Sequence, residues 1–171
     1  ISQVEGFIRQ ILGWREYMRG VYWKEMPEYA QMNKLENHNP LPDFFWTGKT
    51  KMNCLQKAIT QSLDDAYAHH IQRLMVIGNY ALITQVNPSE VDAWYLGVYI
   101  DAIEWVEITN TRGMSQFADG GIVATKPYVS SANYINKMGN YCKECSYSHT
   151  VKSGEKSCPF NSLYWNFLEE K

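Results

Sequence analysis

The sequence lacks several features that would place it quickly in a functional class. No apolar run approaches the ~18 residues that a membrane span needs, and no secretory leader, internal repeat or low-complexity tract is present. The net charge is only -2, so the strongly basic balance typical of many nucleic-acid-binding domains is also missing. These absences argue against a membrane, secreted or repeat protein and favour one globular domain. A local basic face would still permit DNA binding.

The first residue is Ile1 rather than Met, and a helical pattern begins at once. We therefore expect a piece cut from a longer protein. Its 171 residues suit a single domain.

Alternating apolar and polar residues, the pattern of a half-buried strand, are absent as well. Apolar residues instead recur three and four positions apart, which predicts an all-α fold. One predicted helix carries Trp94, Val98, Asp101 and Trp105 on a single face. Asn87-Pro88-Ser89 should separate it from the helix before, because Pro suits a first helical turn. The other predicted helices cover residues 2–20, 53–69, 71–86, 130–138 and 161–168.

Cysteine is scarce, but its four copies are arranged suggestively. Cys142, Cys145 and Cys158 lie close together near the C-terminus, and Cys54 stands alone. Four thiolates suit an iron–sulfur cluster, and a structural zinc uses the same ligands. Two disulfides would need an oxidising compartment, and four unrelated buried thiols are the simplest alternative. Spacing alone leaves these readings open.

Four segments appear in an order that points to a known family. Residues 67–76 read Tyr-Ala-His-His-Ile-Gln-Arg-Leu-Met-Val, and residues 99–107 read Tyr-Ile-Asp-Ala-Ile-Glu-Trp-Val-Glu. Trp14-Arg15-Glu16 and Trp46-Thr47-Gly48 precede them. Together with the cysteines, the chain resembles the iron–sulfur bacterial cryptochromes and (6-4) photolyases. The ordered set is specific, although each segment alone is weak.

The resemblance implies that residues 1–171 form the C-terminal part of a helical FAD-binding domain, with an iron–sulfur ligand segment over 142–158. The expected activity is light-dependent repair of (6-4) pyrimidine photoproducts, with FAD and a 4Fe-4S cluster as cofactors and UV-damaged DNA as partner. The N-terminal antenna domain of the family is absent, so the isolated chain is expected to be inactive. A monomeric, cytoplasmic bacterial protein without membrane contact is implied.

The resemblance also assigns residues near the flavin. Arg73 and Asp101 would form a buried salt bridge, and Glu107 would face flavin N5. His70 matches the histidine that donates a proton to the lesion, which suits an imidazole because its pKa lies near working pH. Tyr128 is its candidate helper, since the second histidine of eukaryotic-type enzymes is missing here.

Two further sets of residues carry over from the resemblance. Trp94 and Tyr95 would form an electron relay, with Trp46 as its outer member. Cys54, Cys142, Cys145 and Cys158 would bind the cluster. Core packing is the simpler explanation for most tryptophans.

Two other functions stay open at this point. A cryptochrome-like blue-light photoreceptor would share the flavin residues but repair nothing. A helical zinc-binding interaction module would share only the cysteines and would be colourless.

Overall fold

Helices dominate the fold, which confirms the all-α prediction. The computed structural model describes residues 2–171. Across these residues the only β-structure consists of two isolated bridges, Asn39 with Val86 and Ser148 with Ser157. None of the helices in this range is both long enough and apolar enough to cross a membrane. The α-helices are α1 (Ser2–Ile8), α2 (Glu16–Glu25), α3 (Phe44–Thr47), α4 (Asn53–Asp65), α5 (Asn79–Ile83), α6 (Pro88–Val98), α7 (Glu104–Ile108), α8 (Ala132–Met138) and α9 (Pro159–Glu170).

Three π-helical segments extend the shorter helices. They are π1 (Arg9–Arg15), π2 (Gln72–Gly78) and π3 (Thr109–Ser115). The first joins α1 to α2, the second leads into α5, and the third continues α7. Two short 3₁₀ helices complete the list, Glu28–Gln31 and Tyr141–Glu144. Because π-helical turns occur frequently at functional sites, these three segments mark where a site should be sought.

The main core lies where α4, α5, α6 and α9 meet, with α3 packed beside them. Burial of each large side chain there stabilises the fold by roughly 1.5–3 kcal/mol relative to exposure. Its largest fully buried members are Phe45, Leu55, Ile59, Leu82, Trp94 and Phe160. A second cluster joins α2, π2 and π3 through Met18, Leu74, Met75 and Met114.

The boundary predicted at Asn87-Pro88-Ser89 is present. The Asn87 side-chain oxygen accepts a hydrogen bond from the backbone N–H of Ser89 at 2.9 Å. Pro88 takes the first position of α6. This pairing satisfies a backbone N–H that lacks a partner within the helix.

The helix predicted over 53–69 ends early, at Asp65. Ala66 takes the left-handed conformation with φ of 51°, which stops the helix. Its carbonyl accepts the backbone N–H of Ile100 at 2.9 Å. A contact distant in sequence therefore sets this boundary.

The prediction of one helix face carrying Trp94, Val98, Asp101 and Trp105 is wrong. Helix α6 ends at Val98, and Asp101 lies in the irregular stretch before α7, which carries Trp105. The break follows Gly97, the last residue but one of α6, and contains no Pro. It coincides with the contact to Ala66 described above, so tertiary structure overrides the local pattern.

A buried ion pair fixes π3 against α6. Arg112 Nη2 lies 2.7 Å from Asp92 Oδ2, and both side chains are almost wholly buried. The Arg112 guanidinium also donates to the Met32 carbonyl at 2.7 Å and to Ser89 Oγ at 3.1 Å. Burial raises the pKa of Asp92 to about 7, against the opposing effect of Arg112. Losing either partner would leave a charge buried without compensation.

The extent of the core predicts that Leu→Ala substitutions at a buried and at an exposed position lower the free energy of unfolding by different amounts. Leu82→Ala removes a fully buried side chain from α5, and we expect it to lower the free energy of unfolding by about 2–5 kcal/mol. Leu168→Ala, on the exposed part of α9, should cost only about 0.5 kcal/mol. Urea denaturation followed by circular dichroism measures both. Equal losses would contradict this placement of the core.

Candidate functional site

One cavity of about 370 Å³ is lined by four of the five residues that the resemblance assigned to the flavin and the lesion, and by Tyr95 of the predicted relay. All three π-helical segments contribute to its wall. Its volume and its mixture of apolar and polar groups are those of a small-molecule site. The lining residues that carry the argument are His70, Arg73, Tyr95, Asp101, Glu107 and Thr111.

Segments π2 and π3 approach each other closely beside this cavity. A Cβ on Gly78 would lie 2.8 Å from the Arg73 carbonyl and would also collide with the Ser115 hydroxyl. The Gln116 side chain donates to the Gly78 carbonyl at 3.1 Å. Glycine at this position thus leaves room for the Arg73 carbonyl of the same helix and for the Ser115 side chain of π3.

Arg73 is the best-anchored polar side chain in the cavity. Its Nη1 lies 2.9 Å from Asp101 Oδ1, and its Nη2 donates to Asp101 Oδ2 at 3.1 Å. Its Nε donates to the Ala68 carbonyl at 2.7 Å, and the guanidinium carbon lies 3.8 Å from the centre of the Tyr99 ring. This two-pronged ion pair and the cation–π contact hold the positive charge in one orientation.

The predicted salt bridge therefore forms, but it is less buried than expected. The Arg73 side chain is 14% exposed, whereas that of Asp101 is 50% exposed. Asp101 also lies outside the helix assigned to it. Because Asp101 sits in the irregular stretch after α6, its carboxylate can turn back to Arg73 on π2 while facing solvent on its other side.

Glu107 is a buried carboxyl group on the cavity wall. The Thr111 hydroxyl donates a hydrogen bond to its Oε1. Burial raises the pKa of Glu107, while the Thr111 bond and the charge of Arg73 oppose that rise. A carboxyl group in this state can accept or release a proton more readily than an ordinary glutamate at neutral pH.

His70 lines the cavity from an exposed position at its mouth. Burial against the wall lowers its pKa, and the neighbouring charges of His69 and Arg73 add to the effect. His69 has a different task. Its Nδ1 accepts the backbone N–H of Ile71 at 3.2 Å, so its imidazole caps the helical turn that begins at His70.

The predicted relay residues Trp94 and Tyr95 are in ring contact, with centroids 5.4 Å apart. Trp94 is fully buried and its indole N–H donates to the Phe45 carbonyl at 3.0 Å. Tyr95 lines the cavity, and its hydroxyl donates to the Arg73 carbonyl at 2.6 Å. Trp46 follows Phe45 in the chain and is 60% exposed. Phe45 itself lies 5.4 Å from Trp94.

Tyr128, the predicted helper of His70, is not among the residues that line the cavity. It packs against the second cluster, which contains Met18 and Leu74. Leu74 is also part of the cavity wall. Tyr128 therefore packs against a cluster that contributes to the cavity wall, but it does not itself line the cavity as predicted.

Sequence reasoning missed three residues that shape the cavity. Tyr99 supports Arg73 and bonds to Ser62 of α4 at 3.0 Å between the hydroxyl oxygens. The guanidinium carbon of Arg73 also lies 5.2 Å from the centre of the Tyr67 ring. Thr111 follows Glu107 by four residues, a spacing that brings side chains together on a helix. That spacing was the available signal for Thr111.

The cysteine segment, defined as residues 141–158, is fastened to the start of α4. The Asn53 side chain donates to the Tyr141 carbonyl at 2.8 Å, and Lys57 Nζ lies 2.9 Å from Glu144. Ser146 Oγ donates to the Lys51 carbonyl at 3.2 Å. These contacts bring the distant Cys54 to the same region as the other three cysteines.

All four cysteines are free thiols, and their charges would influence one another. Burial raises the pKa of Cys54 to about 12 and that of Cys158 to about 11, and nearby cysteines add to both effects. The backbone N–H groups of Leu55 and Phe160 oppose the rise. Over residues 2–171, however, no three His, Cys, Asp or Glu side chains converge tightly enough to form a ready metal site. The predicted cluster is therefore not confirmed by this geometry.

Comparison with known proteins gives two informative similarities, although no family model matches the chain. A (6-4) photolyase of Agrobacterium fabrum (strain C58 / ATCC 33970) is 58% identical over 168 residues, which are 98% of this chain and 33% of that protein. Uncharacterized protein R855 of Acanthamoeba polyphaga mimivirus is 36% identical over 94 residues, which are 55% of this chain and 69% of that protein. The chain thus spans about a third of the length of the photolyase.

The environment of His70 predicts an acidic imidazole. In the lesion-free protein its pKa should lie below the ordinary histidine value of about 6.5, because wall contact and positive neighbours disfavour the charged form. A pH titration of the ring resonances by NMR measures this value. A His70 midpoint at or above about 6.5 would contradict the described environment.

Proposed function

Because the chain belongs to the photolyase/cryptochrome family, we propose that it is the flavin-binding part of a light-dependent lyase that repairs (6-4) pyrimidine photoproducts in DNA. The observation that carries the proposal is the meeting of Arg73, Asp101, Glu107, Tyr95 and His70 around one cavity. These residues come from separate segments of the sequence. Their convergence supports a shared task, and the 58% identity to a (6-4) photolyase gives that task its chemistry.

The cavity residues fit a flavin. A fixed cation at Arg73 and a buried, proton-exchanging carboxyl at Glu107 lie on walls that also present the Tyr95 ring. When bound, reduced FAD supplies light-driven electron donation to the lesion. Arg73 would stabilise negative charge on the ring system, and Glu107 would hold or release a proton at its edge. The Thr111 bond keeps the Glu107 carboxyl oriented for that exchange.

His70 stands at the cavity mouth, where a flipped-out lesion would enter, since a base pair inside the duplex cannot reach a buried cofactor. A protonated imidazole there would donate its proton to the lesion. Its lowered pKa makes it a stronger acid than an ordinary histidine, so the donation is favoured once the ring is charged. Tyr128 packs against the second cluster and does not line the cavity, so we assign it no direct contact with the lesion.

We assign Trp94 and Tyr95 to electron supply for the bound flavin. Their ring contact provides a short path, and Trp46 lies at the solvent end beside Phe45. The Tyr95 hydroxyl donates to a carbonyl, which is a poor base, so an oxidised Tyr95 would not lose its proton easily. After an electron has passed to the flavin, Trp94 is therefore expected to carry the resulting oxidised state more readily than Tyr95.

We also propose that Cys54, Cys142, Cys145 and Cys158 bind a 4Fe-4S cluster. Cys54 is the second residue of α4 and Cys158 precedes α9, so both lie at helix N-termini, where backbone N–H groups favour a thiolate. The high thiol pKa values belong to the metal-free site, because bound metal ions reverse the preference. The cluster would tie the cysteine segment to α4.

The proposed domain covers residues 1–171. Three of the proposed cluster ligands lie between residues 142 and 158, and the fourth is Cys54. The comparison with the photolyase, of which the chain spans a third, supports a longer protein that supplies the rest of the flavin site and an N-terminal antenna domain. UV-damaged DNA is the proposed substrate. Functional tests therefore use the longer protein.

Illumination of that reduced protein with DNA containing one (6-4) photoproduct tests the function. We expect the lesion to disappear in the parent protein and in His38→Ala, whose imidazole is exposed and outside the cavity wall. His70→Ala should lower the rate by at least about 100-fold while flavin stays bound, because a positioned proton donor is worth that much or more. Chromatography of the digested DNA gives the rates.

Two outcomes would contradict this reading. Lesion that persists in the parent, despite flavin that photoreduces normally, would favour the blue-light photoreceptor. Parent-like repair by His70→Ala would remove His70 from the chemistry while leaving the enzyme assignment intact.

The cluster is tested by metal content. Cys145→Ala should lose most of the bound iron and its broad brown absorbance, whereas Ser153→Ala, an exposed change in the same segment, should keep both. Elemental analysis of anaerobically purified protein gives iron and zinc per chain. A colourless parent with one zinc per chain would replace the cluster with a structural zinc site.

A further inference from the structure

One side-chain amide connects the cysteine segment with the cavity. Gln72 Nε2 donates to the Tyr141 hydroxyl and to Gln61 Oε1, each at 3.1 Å. Gln72 Oε1 accepts the backbone N–H of His69 at 2.9 Å. Both amide hydrogens and one oxygen lone pair are thus used. Gln72 therefore joins α4, the cysteine segment and the start of the helix that carries His70.

The orientation of the Gln72 amide follows from its partners. A backbone N–H can only donate, so the atom that faces His69 must be the oxygen. The atom that faces Tyr141 and Gln61 must then be the nitrogen. Gln61 is oriented consistently, because its own Nε2 donates to the Tyr67 carbonyl at 3.4 Å. The network has one consistent direction.

Gln72 and His69 together form a capping arrangement. The Gln72 side chain returns to the His69 N–H, and the His69 imidazole accepts the Ile71 N–H. This arrangement is a variant of the capping box, with Gln three residues after the capping residue and with the His69 ring bonded to the second helical N–H instead of the third. His70 is the first residue inside the cap, so the cap sets the direction in which its side chain leaves the helix.

Tyr141 reaches this cap from the cysteine segment. Its carbonyl is held by buried Asn53, its ring packs against the main core, and its hydroxyl accepts from Gln72. The next residue is Cys142. A displacement of the cysteine segment would therefore move the hydroxyl that Gln72 relies on.

We propose that Tyr141 and Gln72 form a positioning bridge, through which the cysteine segment fixes the helix start that presents His70 at the cavity. Neither residue touches the cavity, so neither is catalytic. The bridge itself stands on the contacts of this chain, while its importance for repair rests on the proposed function.

Hydrogen exchange at the His69 amide tests the bridge directly in the longer protein. Tyr141→Phe removes only the hydroxyl and leaves one Gln72 amide hydrogen without its partner. The Gln72 side chain is then less firmly held against the His69 N–H. We expect exchange at His69 to become about three- to tenfold faster. Tyr147→Phe is the matched control, because Tyr147 lies in the same segment and packs against the same core without a hydroxyl partner among the described residues.

A double-substitution cycle shows whether the two residues act together. Gln72→Met removes the acceptor itself and should speed exchange at His69 more than Tyr141→Phe does. The combined protein should match Gln72→Met alone, because the Tyr141 hydroxyl acts only through Gln72. Unchanged exchange in Tyr141→Phe, or additive effects in the combined protein, would overturn the proposal.

The His70 imidazole gives a second readout that general destabilisation would not produce. The charged groups that line its cavity are Arg15, Arg73, Asp101 and Glu107, and His69 adjoins it. Tyr141→Phe leaves all of them in place. A looser helix start should let His70 move away from the cavity wall and from Arg73, which would move its NMR-measured pKa upward, whereas Tyr147→Phe should not. An unmoved His70 pKa would overturn the positioning role.

These measurements need neither light, lesion nor bound flavin. A protein in which the bridge behaves as expected but lesions persist would therefore overturn the proposed function and leave the bridge standing. Failure of the bridge in a protein that repairs lesions normally would do the reverse.

Discussion

The positive charge of Arg73 is the constraint on which the cavity depends. An arginine with 14% of its side chain exposed needs partners for its charge and its donors. Asp101 supplies the charge, the Ala68 carbonyl accepts Nε–H, and the Tyr99 ring covers one face of the guanidinium. The Tyr95 hydroxyl donates a hydrogen bond to the Arg73 carbonyl, which fixes Tyr95 beside the same residue. These partners lie on different segments of the chain. Pairing the charge and the donors of Arg73 therefore fixes how those segments are placed around the cavity.

That requirement also explains the two helix boundaries at which local patterns failed. The helix predicted to continue to residue 69 stops before Ala66, and α6 stops before Tyr99. The two irregular stretches meet through the bond between Ile100 and the Ala66 carbonyl. One stretch delivers the Ala68 carbonyl to Arg73 and the other delivers Asp101. Unbroken helices would have kept both groups too far along their own axes to converge.

The sequence was sufficient for features that depend on neighbouring residues. The break at Asn87-Pro88-Ser89 and the helical class both depend on residues within four positions of one another. The order of the family motifs further predicted that His70 and Glu107 lie near the same flavin site, and both residues line the cavity. The exposure of Asp101 and the position of Tyr128 outside the cavity lining could not be predicted in this way. Both depend on how segments distant in sequence pack together, which no local pattern encodes.

Helix α4 connects the surroundings of the two candidate sites. Its first turn holds Cys54 and the side chain of Asn53 that anchors the cysteine segment, and its last turns carry Gln61 and Ser62, which bond to Gln72 and Tyr99. Eight residues separate Cys54 from Ser62, a distance of ~12 Å along a helix that rises 1.5 Å per residue. A regular α-helix of this length is stiff, because each turn is bonded to the next. The hydrogen-bonded geometry of the helix therefore sets the distance from Cys54 to the residues that contact Tyr99 and Gln72. A change of bonding at Cys54 can reach Tyr99 and Gln72 as a movement of this helix or through the Tyr141 bridge beside it.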